Sequence, residues 1–240
     1  MIDLFGTGSV ERTDRANNLI PGVLIGIVTN NADPEKLGRV KLKLPMRDDT
    51  FETGWARVAT FMAGKGYGGL FIPDVNDEVL VAFHRGEISE PYVVGCLWNK
   101  KNTAIPKDAK NEVRKIITKS KHEIEFNDSA AGGKITLKTA KGSTISLEDK
   151  TNLITIKDKT SKNMISIKGA SNMIELKSNL TTIQISATGD VKIKSTKAIT
   201  IDSTQITLNA KAKMDIKAGA SLNLSSNGLV NIKGTIIKMN

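Results

Sequence analysis

The chain has 240 residues and is basic, with 35 Lys and Arg against 25 Asp and Glu and a sequence pI near 9.6. Every aromatic residue lies at or before Phe126, while residues 127–240 hold 17 Lys, no Arg and 8 acidic residues. Proteins that bind single-stranded nucleic acid interleave basic residues with stacking aromatic rings, so this lysine-rich half does not fit that class. No uncharged apolar run approaches the about 18 residues of a membrane-spanning helix.

Residues 1–18 are polar and weakly patterned, and we expect them to form an extended arm. No basic start followed by a long apolar run is found there. This pattern predicts synthesis in the cytoplasm without a signal peptide.

Residues 19–99 are predicted to form a small all-β domain. Five segments have the β-branched content or the period-two alternation of strands, and turn residues separate them: 22–30, 39–44, 55–61, 78–83 and 91–98. Five short strands without helical periodicity are typical of a closed barrel, of which the OB-fold is the commonest five-stranded form.

Several motifs invite a chemical interpretation, but a structural role is favoured for each. The glycine-rich segment 63–69 lacks the residue order of a phosphate-binding loop, and the acidic cluster at 74–78 adjoins a turn and a strand start. His84 and His122 belong to no cluster with metal-ligand spacing. Cys96 lies in an apolar run and is predicted to be a buried core thiol. We therefore predict no catalytic, cofactor-binding or metal-binding residues and no enzymatic activity.

Residues 100–122 are predicted to be a linker or neck, and residues 123–240 a β-structured needle with repeats of 7–11 residues. Two apolar residues separated by one other residue recur throughout the second segment, which indicates short strands with one apolar face. A strand of about three residues buries nothing by itself, so the repeats must stack on each other or on copies from other chains. The pairs are Ile124/Phe126, Ile135/Leu137, Ile145/Leu147, Ile154/Ile156, Ile165/Ile167, Ile174/Leu176, Ile183/Ile185, Val191/Ile193, Ile199/Ile201, Ile206/Leu208, Met214/Ile216, Leu222/Leu224, Val230/Ile232 and Ile237/Met239.

The barrel segment resembles the OB-fold of the bacteriophage baseplate protein V and VgrG spike family. Five motifs carry the resemblance, in order: GIVTNNADPEKLGRVKLK at 26–43, GWARVA at 54–59, MAGKGYG at 62–68, FIPDVNDEVLVAF at 71–83 and EPYVVGCLWN at 90–99. The repeats are similar in kind to the needle of the same family, an intertwined trimeric triangular β-helix.

This resemblance implies the central spike of a contractile tail, a tailocin or a related injection system, and hence a component of the virion tail or baseplate. A homotrimer would bind a tail hub protein on the barrel side and pierce the target envelope when the sheath contracts. The apolar pairs from Ile183/Ile185 to Val230/Ile232 would fill the interior of the needle. Only some 20 residues precede the barrel, so we expect the minimal phage form, whose hub is a separate protein.

The last seven residues are predicted to bind a tip protein, because they follow an apolar pair and would leave a blunt end with open strand edges. The resemblance implies a small PAAR-like cap on Gly234, Thr235, Ile236, Ile237, Lys238, Met239 and Asn240. Two alternatives remain open for the chain as a whole. One is an OB-fold nucleic-acid-binding protein, and the other is a single-chain β-solenoid that acts as an adhesin or a carbohydrate-active protein.

Overall fold

The computed structural model describes residues 19–106 and 108–239, except for the side chains of Asp48 and Asp49. The chain divides into two compact units, Met1–Glu112 and Val113–Asn240. Apart from two short 3-10 turns at His84–Gly86 and Gly169–Ser171, the regular elements of the described residues are β-strands, which confirms the all-β prediction. The predicted arm at 1–18 lies outside the described residues.

The first unit is a closed barrel, as predicted. Its strands are β1 (Val23–Asn30), β2 (Lys41–Leu44), β3 (Asp48–Glu52), β4 (Arg57–Val58), β5 (Ala63–Gly64), β6 (Tyr67–Gly68), β7 (Glu78–Phe83) and β8 (Pro91–Leu97). Six of them form a sheet in the order β3-β2-β1-β7-β8-β4. Val40, which precedes β2, and Ala56, which precedes β4, exchange two backbone hydrogen bonds of 2.9 and 2.7 Å. This pairing closes the sheet on itself.

The third predicted strand, at 55–61, is reduced to β4 in the structure, and β3 is a strand that the sequence analysis did not predict. The Oγ1 of Thr53, which follows β3, accepts a hydrogen bond from the backbone N–H of Leu42 in β2 at 3.1 Å, so a side chain takes one ladder position between β2 and the end of β3. β3 begins with Asp48 and Asp49, and Asp is depleted in strands, which is why sequence patterning missed it.

Alternating residues of the strands fill the barrel. Val79, Val81 and Phe83 of β7 point inward, against Val28 of β1 and Leu42 of β2. Outside this core, β5 and β6 form a small hairpin from the glycine-rich segment. The glycine-rich segment thus forms part of the fold as a hairpin.

The second unit contains one antiparallel sheet in which each strand pairs with the next along the chain. Its strands among the described residues are β9 (Val113–Ile117), β10 (Glu123–Asn127), β11 (Lys134–Lys138), β12 (Thr144–Glu148), β13 (Leu153–Lys157), β14 (Asn163–Lys168), β15 (Met173–Ser178), β16 (Thr181–Ile185) and β17 (Val191–Ser195). β9 lies inside the segment predicted to be a neck. Arg114 occupies one of its two apolar positions, so the repeat pattern hides the strand.

Residues 196–239 continue the apolar pairs, but the structure places no strand in them. Intertwining throughout the needle would put successive strands of one chain on different faces. From Val113 to Ser195, however, successive strands lie in one sheet of one chain. A single chain thus forms a strand ladder from residue 113 to residue 195, where tight turns join antiparallel neighbours, and none in residues 196–239.

Candidate functional site

The apolar pairs of β10–β17 lie in two straight columns on one side of the sheet, which we call the apolar face. Strand register places each member of a pair opposite a member of the next pair, as in Ile145 opposite Ile156 and Ile156 opposite Ile165. One column is Ile116, Ile124, Leu137, Ile145, Ile156, Ile165, Leu176, Ile183 and Ile193; the other is Phe126, Ile135, Leu147, Ile154, Ile167, Ile174, Ile185 and Val191.

The apolar face is exposed in one chain. Leu147 in the middle of the sheet keeps 40% of its surface accessible and Ile156 keeps 46%. Monomeric soluble proteins rarely expose a contiguous apolar patch of more than a few hundred Å², so a patch that runs across nine strands marks an interaction surface. Cross-strand apolar pairs already stabilise the sheet, yet half of each side chain has no protein neighbour.

The opposite side of the sheet, which we call the polar face, is joined by hydrogen bonds between its own side chains. Its middle row is Lys115, Glu125, Thr136, Ser146, Thr155, Ser166, Glu175, Gln184 and Lys192, one residue from each strand. Lys115 donates to Glu125 at 2.9 Å, the hydroxyls of Ser146 and Thr155 share a bond of 2.7 Å, and Gln184 donates to Glu175 at 2.9 Å. Side-chain bonds within the chain thus join six of these nine residues.

Ion pairs strengthen the polar face. The Lys134 ammonium lies 2.6 Å from a carboxylate oxygen of Glu148, and Lys168 lies 2.7 Å from Glu175. These hydrogen bonds lower the pKa of Glu148 and of Glu175. The hydrogen bond from Lys115 likewise lowers the pKa of Glu125, and that carboxylate raises the pKa of Lys115. The two sides of the sheet therefore differ sharply: hydrogen bonds and ion pairs join the side chains of the polar face, whereas the apolar face is left exposed.

Of the predicted interior residues, the structure brings four together in one chain. Ile183 lies opposite Ile193, and Ile185 opposite Val191. The others lie in residues 196–239, where one chain leaves each of them about half exposed or more: Ile199, Ile201, Ile206, Leu208, Met214, Ile216, Leu222, Leu224, Val230 and Ile232. Their place inside a needle stays a prediction.

The predicted tip residues form no strand within the described part, 234–239. Ile236 is 76% and Met239 is 91% exposed. Asn240 lies outside the described residues, and the assignment of this segment to a cap stays a prediction.

The motifs with a possible chemical role occupy structural positions. Asp77 accepts a hydrogen bond from the backbone of Asp74 at 2.9 Å, and Glu78 accepts one from Asn99 at 2.9 Å. His122 Nδ1 accepts from the backbone N–H of Ala140 at 3.4 Å. Within the described residues, no group of three His, Cys, Asp or Glu side chains could hold a metal ion.

The prediction of a buried Cys96 is wrong, because the thiol is exposed. Cys96 lies opposite Val79 in the pairing of β7 with β8, but the buried positions of β8 end at Val93, and Cys96 follows them near the end of the strand. Partial burial nevertheless raises the pKa of this thiol.

No helix of the described residues is long and apolar enough to span a bilayer.

The family described as type VI secretion system/phage-baseplate injector OB domain matches residues 24–98, the span of the barrel. Similar proteins include the type VI secretion system spike protein VgrG5 of Pseudomonas aeruginosa, 38% identical over 87 residues, and VgrG3 of Vibrio cholerae, 29% identical over 119 residues. The first alignment covers 34% of this chain and 11% of the relative, and the second covers 45% and 12%.

A third similar protein is named actin cross-linking toxin VgrG1, also of Vibrio cholerae. It is 28% identical over 116 residues, which are 43% of this chain and 10% of the toxin. The chain thus spans about a tenth of the length of these curated relatives, and the alignments leave their other parts unmatched. The barrel, residues 24–98, thus belongs to the family of type VI secretion system and phage-baseplate injector OB domains, and it is similar to the corresponding part of VgrG-type spike proteins.

Proposed function

We propose that this chain is the central spike of a contractile phage tail, a tailocin or a related injection system, and that it acts as a homotrimer. The observation that carries the proposal is the difference between the two sides of the sheet: the apolar face is exposed, and the polar face is hydrogen-bonded and ion-paired within the chain. Three copies that turn their apolar faces toward a common axis would bury both columns, while the hydrogen bonds and ion pairs of each polar face would stay within its own chain. The family of the barrel supports a role in a baseplate.

The role of the trimer is mechanical. A needle held together by strand ladders and a continuous apolar interior resists axial load, because no plane across it lacks cross-links. We propose that the barrels bind the tail hub, that a PAAR-like protein caps residues 234–240, and that contraction drives the needle through the target envelope. No step of this function needs catalysis.

The two alternatives have weaker support. A nucleic-acid binder would use aromatic platforms next to its basic groups, and the lysine-rich unit has no aromatic residue beyond Phe126. A single-chain solenoid would bury its apolar residues within the chain, whereas the apolar face is exposed here.

Light scattering on the full-length chain tests the trimer. We expect a mass three times that of one chain, which is 25.9 kDa. Ile165→Asp would bury three carboxylates at one level of the interior, at a cost of several kcal/mol per ion, and should abolish the trimer. A folded monomer of the unchanged protein would contradict the proposal.

Met164→Asp is the matched control. Met164 is the neighbour of Ile165 on the polar face, where it lies opposite Lys157 on one side and Lys177 on the other. A carboxylate there meets two ammonium groups in water, so the trimer should persist. Equal loss of the trimer in both variants would mean that the two faces are misassigned.

The injection role needs a separate test in the producing cell. An antibody against this chain, detected with gold particles, should label isolated contractile particles at the baseplate end. Label along the sheath, or particles that never carry the chain, would reject the role while leaving the trimer in place.

A further inference from the structure

One side of the sheet in the second unit, where strands β9, β11, β13 and β15 end, is rich in lysine; we call it the basic margin. It consists of the connections 118–122, 139–143, 158–162 and 179–180. Against one acidic residue, Asp158, these connections carry Lys119, Lys121, Lys141, Lys159 and Lys162. The adjoining strand ends add one acid, Glu123, and the lysines Lys138, Lys157, Lys177 and Lys194.

The connections on the opposite side, which we call the acidic margin, have the reverse balance. They follow β10, β12, β14 and β16 and comprise residues 128–133, 149–152, 169–172 and 186–190. Against one lysine, Lys150, they carry Asp128, Asp149 and Asp190. The sheet is therefore polarised in charge from one margin to the other.

Most of this charge is not used within the chain. Six charged side chains of the two margins are exposed and make no ion pair among the described residues: Lys141, Lys159, Lys162, Asp128, Asp149 and Asp190. The two acids near the lysines are already engaged. Glu123 lies 3.2 Å from the ammonium of Lys115, and Asp158 accepts a hydrogen bond from Asn163 at 2.9 Å. Both margins thus keep charge for a partner.

A closed ring of three identical sheets brings unlike margins together. In cyclic symmetry of order three, the surface that one copy presents to the next differs from the surface that it receives. When three apolar faces turn toward a common axis, each corner of the ring therefore contains the basic margin of one copy and the acidic margin of the next. A contact between two like margins would instead juxtapose like charges.

The charged connections also alternate along the sheet. Those of the basic margin follow odd-numbered strands and those of the acidic margin follow even-numbered strands, so the two sets are offset by one strand spacing, about 4.8 Å. Rotation about the axis keeps every residue at its own height. Lys141, between β11 and β12, would thus lie at a height between Asp128 and Asp149 of the neighbouring copy.

We infer that the basic margin of each chain pairs with the acidic margin of a second copy, and that this pairing aligns the chains along the axis. The inference rests on the proposed trimer and names the contact at its corners. The apolar columns alone specify alignment weakly, because a slip would again place apolar beside apolar. The margins are not uniform, since connections 169–172 and 179–180 carry no charge. Complementary charge of this kind fixes register more than it adds affinity.

Charge reversal tests the pairing. The full chain with Lys121→Glu, Lys141→Glu and Lys159→Glu would place carboxylates against the acidic margin of the neighbour. In a urea titration followed by light scattering, we expect the trimer to dissociate at a lower urea concentration than the unchanged protein in low salt, and at a similar one in high salt, where the repulsion is screened. A variant that matches the unchanged protein in low salt would overturn the inference.

The matched control exchanges the two margins. Adding Asp128→Lys, Asp149→Lys and Asp190→Lys to the reversal variant restores opposite charges at every corner, so the low-salt midpoint should return. Without this rescue, the effect of the reversal would belong to the folding of one chain, and the inference would fall.

A disulfide tests the alignment. Lys141 and Asp149 lie on either side of β12, whose five residues span about 16 Å, too far for a disulfide within one chain. The full chain with Cys96→Ser, Lys141→Cys and Asp149→Cys should give three linked chains on a non-reducing denaturing gel after mild oxidation. In the control, Asp190→Cys replaces Asp149→Cys. Its two cysteines would lie five strand spacings apart, roughly 24 Å, and the chains should stay unlinked.

Light scattering before oxidation separates this inference from the proposed function. If the protein is a trimer but the test cysteines stay unlinked, or both cysteine pairs link equally, the alignment is wrong while the trimer stands. The basic margin would then be open to another partner, such as a polyanion. A monomer of the unchanged protein would overturn the inference and the proposed function together.

Discussion

At the scale of single residues, Asp33 organises the first connection of the barrel. Its carboxylate accepts hydrogen bonds from Arg39 Nη2 at 2.8 Å, from Arg39 Nε at 3.0 Å and from the backbone N–H of Leu37 at 3.0 Å. The side chain is only 3% exposed. The hydrogen bonds from Arg39 hold the pKa of Asp33 well below its usual range, and the carboxylate raises the pKa of Arg39.

Asp33 should make barrel stability depend on pH. Its folded pKa lies below the unfolded value of about 3.9, so the stabilisation is fully present above that value and is lost as the pH falls toward the folded pKa. In Asp33→Asn, a neutral amide replaces the ion pair, and we expect a lower melting temperature at pH 7 and a smaller loss on acidification from pH 5 to pH 3. Circular dichroism melts at these pH values measure both. An unchanged acid dependence in the variant would assign it to other carboxylates.

Gly26 is required by close packing inside the barrel. It is buried in β1, and a Cβ there would lie 2.8 Å from Cγ2 of Val81 and 3.5 Å from Cγ2 of Val79. Gly26→Ala should therefore destabilise the barrel by about 1–3 kcal/mol through overpacking. Gly95→Ala is the control, because nothing lies within 4 Å of a Cβ at that position. Urea unfolding followed by tryptophan fluorescence would test the pair; equal midpoints would contradict the packing argument.

At the scale of elements, the polar face contains two buried hydroxyls without a hydrogen-bond partner among the described residues, those of Thr144 and Ser166. Ser166 Oγ in β14 makes no hydrogen bond, whereas Ser146 in β12 bonds to Thr155 at 2.7 Å. Ser146→Ala should cost about 1 kcal/mol, because it leaves Thr155 without that bond. Ser166→Ala removes an unsatisfied group and should be neutral or stabilising. Thermal unfolding of the full chain compares the two, and a larger loss for Ser166→Ala would reveal a partner in the assembly.

Sequence patterning predicted most elements, and its failures have local causes. The apolar pairs marked β10–β17 because each strand has one apolar face. β9 was missed because Arg114 takes an apolar position. The exposure of Cys96 was missed because an apolar run does not show where the buried part of a strand ends, which in β8 is at Val93. The pairs also predicted an interior, but not that strands 113–195 pair within one chain. That distinction depends on backbone reversals, which Asn and Ser mark less clearly than Gly.

At the scale of the whole molecule, the proposed assembly combines two kinds of interface. From residue 113 to residue 195, each chain forms its own strand ladder, so the three sheets of the trimer would contact each other through side chains alone. Where strands of different chains pair, as an intertwined needle requires, no chain can complete its backbone hydrogen bonds before it binds its neighbours.

The length of the assembled needle follows from strand spacing. Both pairing modes add one strand spacing per repeat, because each repeat contributes one strand to a face. Thirteen steps between the fourteen apolar pairs, at about 4.8 Å each, give roughly 60 Å. A single-chain solenoid with three strands per turn would rise only about 20 Å over the same residues. Averaged electron micrographs of the isolated trimer distinguish the two values, and a rod near the shorter one would reject the proposed needle even if the mass is trimeric.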